Sequence, residues 1–192
     1  MSVTVITLCA MARWEPNGRL RLREAALDLY DERGYERTTA AEIAERAGLT
    51  ERTFFRHFGD KREVLFEGEA ALADLLVTTV RDATRERSPR EAITAGLEAM
   101  AAALEPRRDE LRRREALIAT HPELRERELI KLAAMSAALA GALALDERTG
   151  KLVAELAITL FRVAFERWLE DGEERALAEH VHDALDQLTL LA

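Results

Sequence analysis

The chain has 192 residues, and its 36 acidic and 28 basic side chains give a formal net charge of −8. With 48% hydrophobic and 33% charged residues, it has the composition of a folded globular protein, which excludes disorder over most of its length. Only four prolines interrupt the chain, and long runs of Ala, Leu, Glu and Arg favour helix almost throughout. A mostly β architecture is excluded, and the predicted fold class is all-α.

The first twelve residues are expected to form a disordered N-terminal tail. Residues 3–8 are apolar, but no basic residue precedes them and the stretch is too short for the core of a signal peptide, so a tail is favoured over a targeting segment. Met11 is an alternative start to Met1. The single cysteine, Cys9, cannot form an internal disulfide, and no segment reaches the roughly 20 apolar residues that span a membrane. We therefore expect a cytoplasmic protein with no membrane partner.

Start and stop signals for helices recur along the chain. Thr39 with Glu42, and Ser88 with Glu91, form the capping-box pattern that begins a helix, and Gly34 suits a helix end. The predicted helical segments are residues 19–33, 39–48, 51–58, 60–87, one beginning at Pro89, two beginning at Pro106 and Pro122, then 146–170 and 173–190. They make about nine helices.

Charge divides the chain unevenly. Residues 13–66 carry 11 basic and 11 acidic side chains, whereas residues 67–192 carry 17 basic and 25 acidic ones. Because acidic surfaces repel nucleic acid, any nucleic-acid binding is expected in the N-terminal part. We predict a tail at residues 1–12, a small domain at 13–66 and a larger helical domain at 67–192.

A short turn, Ala47-Gly48-Leu49-Thr50, joins two predicted helices of the small domain. Two short helices joined by a tight turn with glycine at the corner are typical of a helix-turn-helix, whose second helix lies in the DNA major groove. Ile43, Leu49, Phe54 and Phe58 are the candidate core. The residues left to face outward are Thr50, Glu51, Arg52, Thr53, Phe55, Arg56 and His57. Such hydroxyl, guanidinium, imidazole and aromatic groups reach bases and phosphates.

The motifs of this block occur as a set: Gly34-Tyr35, Thr38-Thr39, Ile43-Ala44, Ala47-Gly48, the run from Thr53 to Phe58, and Lys61. With them, residues 19–65 resemble the DNA-binding domain of the TetR family of bacterial repressors. The resemblance implies that residues 13–66 are a helix-turn-helix DNA-binding domain and residues 67–192 a helical ligand-binding and dimerisation domain. It also implies a homodimer, a palindromic double-stranded operator, and release of the DNA when a small-molecule effector binds.

The resemblance implies roles for single positions. Phosphate contacts are expected from Thr39, His57 and Lys61. Contacts to the backbone or bases are expected from Thr50 and Thr53. The base-reading candidates are Glu51, Arg52 and Arg56, since arginine can bond guanine through two hydrogen bonds.

Two positions depart from the family pattern. Phe55 stands where the family usually has tyrosine, so a hydroxyl-to-phosphate bond is lost and an apolar contact remains, for example with a thymine methyl. Arg52 stands where glycine is common, which places a long cation at the groove and predicts a different preferred sequence.

The two last predicted helices carry more apolar surface than a helix with one solvated face needs. We expect them to pair with their symmetry mates as a four-helix bundle, as the resemblance also implies; the alternative is that both face the core of their own subunit. The expected interface residues are Leu156, Leu160, Phe161, Phe165, Trp168, Leu177, Val181, Leu185 and Leu188.

A regulatory pocket is expected among the middle helices, between about residues 68 and 145. Alanine and leucine dominate there, which predicts a largely apolar effector of unknown identity, although each candidate also suits ordinary core packing. The candidate lining residues are Met100, Leu104, Leu117, Met135 and Leu139, with Arg114 and His121 to orient a polar group.

Two other functions stay open from the residues alone. Helical bundles hold two metal ions with a Glu-x-x-His step from each of two helices, but this chain has one such step, Glu179 to His182. His180 and His182 lie two positions apart on a helix and point to different sides, so we expect no metal, cofactor or catalytic residue. The other alternative is a protein-interaction module without DNA binding, which the missing hydroxyl at Phe55 allows. Repressor and activator are both open.

Overall fold

A computed structural model of the chain describes residues 18–172 and 175–188, and these are helical almost throughout. The expected tail at residues 1–12 and the predicted ends of the last helix, Glu173 and Leu190, lie outside the described residues. The α-helices of the described part are α1 (Gly18–Arg33), α2 (Ala40–Arg46), α3 (Glu51–His57), α4 (Glu69–Ala83), α5 (Pro89–Leu104), α6 (Arg108–Thr120), α7 (Pro122–Ala142), α8 (Glu147–Glu170) and α9 (Leu177–Gln187). No β-strand occurs in these ranges, and the predicted all-α class is confirmed.

Three predicted helix starts are confirmed by their side-chain caps. Thr39, Ser88 and Asp146 each accept the backbone N–H of the third residue that follows, at 3.3, 3.3 and 3.1 Å. Because the first N–H groups of a helix have no partner inside the helix, each cap stabilises its helix by about 1 kcal/mol. These local signals position α2, α5 and α8.

The prediction of one continuous helix over residues 60–87 is wrong. Asp60 caps a short 3-10 helix, Glu63–Phe66, instead of an α-helix. Gly68 then adopts a φ of +93°, and α4 begins directly after it. A residue with positive φ cannot continue a right-handed helix, and glycine adopts this conformation without steric cost. Pro106 likewise lies in a 3-10 turn, and α6 begins two residues later.

The chain divides into two compact units, the first ending at Val64 and the second beginning at Leu65. In the first unit, α1 packs on α2 and α2 on α3. Leu22, Ile43 and Phe54, one from each helix, have no exposed surface and form the centre of this small core. Burial of each such side chain contributes about 1.5–3 kcal/mol, which holds the short helices α2 and α3, marginal on their own, against α1.

The second unit is a bundle around one apolar core. Its strongest packing pairs are α4 with α5, α7 with α8, and α8 with α9. Gly96 lets α4 and α5 approach closely, since a Cβ at this position would lie 2.6 Å from Val80 Cγ2. No helix of the described part combines the length and apolarity needed to cross a membrane.

Two arginines of α6 cap the C-terminal end of α8. Arg108 donates to the carbonyl oxygens of Trp168 and Asp171, and Arg112 donates to those of Leu169 and Asp171 at 2.8 and 3.0 Å. The Arg108 guanidinium also lies 5.0 Å from the centroid of the Trp168 ring. The last carbonyls of a helix lack partners within it and carry partial negative charge, so the two guanidinium groups stabilise this end of α8.

Candidate nucleic-acid interface

The turn between α2 and α3 has the geometry of a helix-turn-helix. Gly48 adopts a φ of +67°, and the Leu49 N–H donates to the carbonyl of Ala44 at 2.8 Å. Arg21 of α1 donates through its guanidinium to the carbonyl of Ala47, which satisfies another group of the turn. The left-handed glycine reverses the chain direction here, and α3 begins after the N-cap Thr50.

Helix α3 has one buried and one exposed face. Phe54 has no exposed surface, and its ring contacts those of Phe55 and Phe58, with centroids 5.4 and 5.7 Å apart. We use the name outer face of α3 for Glu51, Arg52, Phe55 and Arg56, which are all exposed. Phe55 is 53% exposed, so much of its ring is open to a partner.

The three charged groups of the outer face are available for a partner. Within the part of the chain that the structure describes, the side chains of Glu51, Arg52 and Arg56 make no ion pair or hydrogen bond. Arg46 and Arg62 differ, because the first pairs with Glu32 at 2.7 Å and the second with Asp60 at 2.6 Å.

The threonines expected at the DNA use their hydroxyl groups within the protein. The Thr39 hydroxyl donates to Glu42 Oε2 at 2.8 Å, and the Thr39 N–H donates to the same oxygen at 2.9 Å. The bond from this N–H and then the one from the hydroxyl lower the pKa of the Glu42 carboxyl. Thr50 Oγ1 accepts the N–H of Thr53, and the two hydroxyl oxygens lie 3.0 Å apart. These groups act as helix caps, and their contact with DNA stays a prediction.

Lys61 uses its ammonium group within the protein, and its expected contact with phosphates stays a prediction. Its Nζ lies 2.8, 3.1 and 3.4 Å from the carbonyl oxygens of Tyr35, Thr38 and Glu36, and 4.2 Å from the centroid of the Tyr35 ring. An ammonium group has three protons, and three carbonyls accept them here. Tyr30 donates its hydroxyl to the Lys61 carbonyl at 2.8 Å, and burial raises the pKa of Tyr30 far above its usual value. Lys61 therefore holds the loop between α1 and α2.

Two further basic side chains, those of His57 and Arg37, belong to the same unit as the outer face. His57 is half-buried, and its ring lies beside that of Phe58 with centroids 6.4 Å apart. Arg37, which the sequence did not single out, is exposed, and its Nε donates to the carbonyl of Arg33 at 2.6 Å. Within the described ranges it has no carboxylate partner. The sequence feature that could have indicated Arg37 is its position two residues before the N-cap Thr39.

The residues predicted for a dimer interface fall into two groups in the second unit. Buried in the core of their own unit are Phe161, Trp168, Leu177 and Val181. A side chain with almost no exposed surface has little to offer a partner, and the interface as a whole stays a prediction. Half-buried are Leu160, Phe165 and Leu185, and exposed are Leu156 and Leu188. Leu152 of α8 is 59% exposed and belongs with the last two.

The apolar residues predicted to line a pocket lie inside the second unit. Met100, Leu104, Met135 and Leu139 belong to its core cluster, and Leu117 is half-buried on α6. Nothing in their packing separates a pocket lining from an ordinary core, and ligand contact stays a prediction.

Arg114, which is expected to orient a ligand, has internal partners on all three side-chain nitrogens, and its contact with a ligand stays a prediction. Its Nε donates to the Leu65 carbonyl at 2.9 Å, and its two terminal nitrogens pair with Glu69 at 2.9 Å and Glu128 at 3.1 Å. Its guanidinium lies 5.0 Å from the centroid of the Phe66 ring. The charge is thus compensated by the protein, and Arg114 ties the segment before α4 to α6 and α7.

His121, the other residue expected to orient a ligand, has its Nδ1 2.8 Å from the Leu117 carbonyl oxygen at the end of α6, and its contact with a ligand stays a prediction. Glu115, beside Arg114, has a different environment. Burial raises the pKa of its carboxyl, and the negative charge of Glu128 raises it further.

The two histidines of α9 contact different elements. His180 Nε2 lies 3.4 Å from Asp171 Oδ2, and His182 Nε2 lies 2.8 Å from Glu98 Oε1. Among the described residues, no group of three or more His, Cys, Asp or Glu side chains is arranged to hold a metal ion.

Comparisons with known proteins agree with this arrangement. The family described as "Bacterial regulatory proteins, tetR family" matches residues 22–67, and the family described as "MftR C-terminal domain" matches residues 87–190, which is more than half of the chain. Together with the fold, these matches define a helix-turn-helix protein that binds DNA and regulates transcription. The chain belongs to the TetR family. Because the members of this family are DNA-binding regulators, the hypothesis of a metal-dependent enzyme is discarded.

The chain is also similar to individual regulators. It is 33% identical over 82 residues to the HTH-type transcriptional regulator TcmR of Streptomyces glaucescens, a match that covers 43% of this chain and 36% of TcmR. The FadR repressor of Thermus thermophilus, solved in complex with lauroyl-CoA, is 26% identical with a TM-score of 0.58, and the match covers 89% of this chain and 93% of FadR. NalD of Pseudomonas aeruginosa shares the fold, with 17% identity, a TM-score of 0.63, and coverage of 90% and 94%.

Proposed function

We propose that this regulator is a ligand-responsive repressor that binds a palindromic operator as a homodimer and presents the outer face of α3 to the major groove. The single observation that carries the proposal is this face. Two guanidinium groups, a carboxylate and an exposed aromatic ring project from a helix whose other side is sealed by Phe54. Because these charged groups have no partners within the described part of the protein, they can contact bases without first breaking an ion pair.

Dimerisation is supported by the surface of α8 and α9. Leu152, Leu156 and Leu188 are 59%, 41% and 37% exposed, and half-buried Leu160 and Leu185 lie on the same two helices. Several large aliphatic side chains left open on a helix pair are typical of a surface that a partner covers. A two-fold dimer would hold its two recognition helices about 34–36 Å apart, the length of one DNA turn.

A largely apolar effector in the second unit is supported by two observations. The core of this unit is formed by Met, Leu, Ala and aromatic side chains, including Met100, Met135 and Leu139. The Thermus thermophilus relative, a repressor, was solved with lauroyl-CoA, a ligand with a long acyl chain. The coupling required is modest, because about 2.7 kcal/mol weakens DNA binding 100-fold.

The test is selection of bound sequences from random double-stranded DNA by the full chain. A palindrome is expected, and affinity for it should fall as salt rises, because counterions are released on binding. The double variant R52A/R56A should bind it at least about 30-fold more weakly, since each bidentate contact to a base contributes about 1–3 kcal/mol. The matched control, R125A/R148A, removes two exposed arginines of the second unit and should bind as the unaltered chain does.

The outcomes are separable. Enrichment of no sequence, or equal loss of affinity in both double variants, would contradict DNA recognition by α3 and favour a protein-interaction module. An enriched sequence without two-fold symmetry would contradict the dimer alone. A reporter gene placed behind the enriched sequence distinguishes repression from activation, and repression is expected.

A further inference from the structure

The outer face of α3 has a definite order of chemical groups. An α-helix turns about 100° per residue, so, measured from Glu51, Phe55 lies at about 40°, Arg52 at about 100° and Arg56 at about 140°. The face is therefore bordered by a carboxylate on one side and by two guanidinium groups on the other. Phe55 is its only apolar member, and it lies inside this border.

The ring of Phe55 is held in place before any partner binds. It stands edge-on against Phe54, with ring centroids 5.4 Å apart and an interplanar angle of 82°. Phenylalanine has no hydrogen-bond donor, so it offers nothing to a phosphate oxygen. In the major groove, the apolar group that a base presents is the 5-methyl of thymine. An exposed, fixed aromatic ring between charged groups suits contact with this methyl.

The two arginines are spaced for two bases. They are four residues apart, just over one helical turn and about 6 Å along the axis, whereas successive base pairs are about 3.4 Å apart. Their guanidinium groups therefore reach bases about two steps apart, and guanine is the base that offers two acceptors to one guanidinium in the major groove. Along the helix axis Phe55 lies about 4.5 Å beyond Arg52 and about 1.5 Å before Arg56, so its ring falls between the two bases that they reach.

We propose, on the premise of the DNA-binding function above, that each half-site contains a thymine between two guanines, with Phe55 on the thymine methyl and Arg52 and Arg56 each on one guanine. Phe55 is then a specificity-determining residue that reads a single methyl group. This assigns to the chain a sequence preference that neither the fold nor the family defines.

The first experiment uses the operator obtained by selection. Each thymine of one half-site is replaced in turn by deoxyuridine, which lacks only the 5-methyl group, and affinity is measured with the full chain. At one thymine the substitution should weaken binding about four-fold, the factor that burial of one methyl-sized group corresponds to. Deoxyuridine in the flanking DNA is the control and should change nothing.

Variants assign the effect to Phe55. F55A should bind thymine and deoxyuridine operators equally at that position, whereas F55Y, which keeps the ring, should keep the difference. Because Phe55 is exposed, F55A is expected to fold, and circular dichroism of the variant checks this. If F55A does not fold, F55Y still provides a variant of Phe55 for the comparison. The proposal would be overturned if no replacement of thymine by deoxyuridine changed the affinity, or if F55A still distinguished the two operators.

The arginines are tested in the same half-site with 7-deazaguanine, which removes the N7 acceptor. One guanine should become insensitive to this change in R52A and the other, about two steps away, in R56A. If the arginines instead contact phosphates, each variant would bind all sequences more weakly and lower the slope of log affinity against log salt by about one. If removal of the thymine methyl groups and of the guanine N7 atoms left the affinity unchanged, this inference would be refuted and the proposed function would stand. If selection enriched no operator, the proposed function itself would be refuted.

Discussion

Two glycines in helices of the second unit provide a sharp test of the packing described above. A Cβ at Gly96 of α5 would lie 2.6 Å from Val80 Cγ2 and 2.8 Å from Leu76 Cδ1, whereas a Cβ at Gly141 of α7 would meet nothing within 4 Å. Gly96→Ala and Gly141→Ala are the same chemical change in the same unit. A difference in their effects on stability therefore reports on packing alone.

The expected magnitudes follow from two terms. Alanine is more favourable than glycine inside a helix by about 0.5–1 kcal/mol, so Gly141→Ala should raise the free energy of unfolding by up to this amount. The same gain applies at Gly96, but an added methyl group in a packed core costs about 1–3 kcal/mol. Leu76 and Val80 have no exposed surface, so neither side chain has room to move away. The variants should differ by about 1–3 kcal/mol, with Gly96→Ala the less stable.

Urea denaturation followed by tryptophan fluorescence measures this difference. Trp168 has no exposed surface and belongs to the core of the second unit, so its emission reports on the unfolding of that unit. The other tryptophan, Trp14, lies outside the described residues, and both variants should be made in a Trp14→Phe background. A Gly96→Ala variant as stable as Gly141→Ala would refute the close approach of α4 and α5.

Three further predictions concern charged groups. Arg114→Met should lower the free energy of unfolding of the second unit by about 1–3 kcal/mol, because half-buried Glu69 and Glu128 lose a hydrogen-bonded charge partner. Arg85→Met, at an exposed pair, should change it by less than about 1 kcal/mol in the same urea assay. Glu115→Gln should stabilise that unit at neutral pH, because the raised pKa of Glu115 means that the folded state disfavours its ionised carboxyl. The gain should shrink as pH falls from the raised pKa to the ordinary pKa of glutamate, and a gain independent of pH would contradict the burial. Lys61→Met should speed hydrogen exchange in the loop between α1 and α2, and Arg62→Met, the control, should not; unchanged exchange in both would refute the role of Lys61.

The helix starts could be predicted because their signals are local. Thr39, Ser88 and Asp146 cap helices through atoms three residues away, so the pattern in the sequence already contains both partners. The break before α4 could not be predicted in the same way. Gly68 is followed by residues that suit a helix, and its positive φ becomes visible only in the folded chain.

The same distinction applies to the candidate site. The exposed and buried sides of α3 follow from its 3.6-residue period, and Phe54 and the outer face lie where the sequence predicts them. The role of Lys61 follows from carbonyl groups 23 to 26 residues earlier in the chain, which no local pattern contains. Arg114 likewise finds its partners on three other segments. Polar groups that stabilise the fold from a distance resemble binding groups in the sequence, and only their contacts separate the two.

The positions of its small residues indicate which side of α8 faces the core of the second unit. The buried side contains Gly150 and several alanines, which let neighbouring helices approach closely, and Phe161 lies on this side. Leu152 and Leu156 lie on the opposite, exposed side, which has no small residue of this kind. Leu156→Glu should therefore separate a dimer into monomers in light scattering while circular dichroism still shows a folded helical chain. Phe161→Glu should unfold the unit, since it buries an unpaired charge. A Leu156→Glu protein that remains dimeric would exclude this face of α8 from the interface.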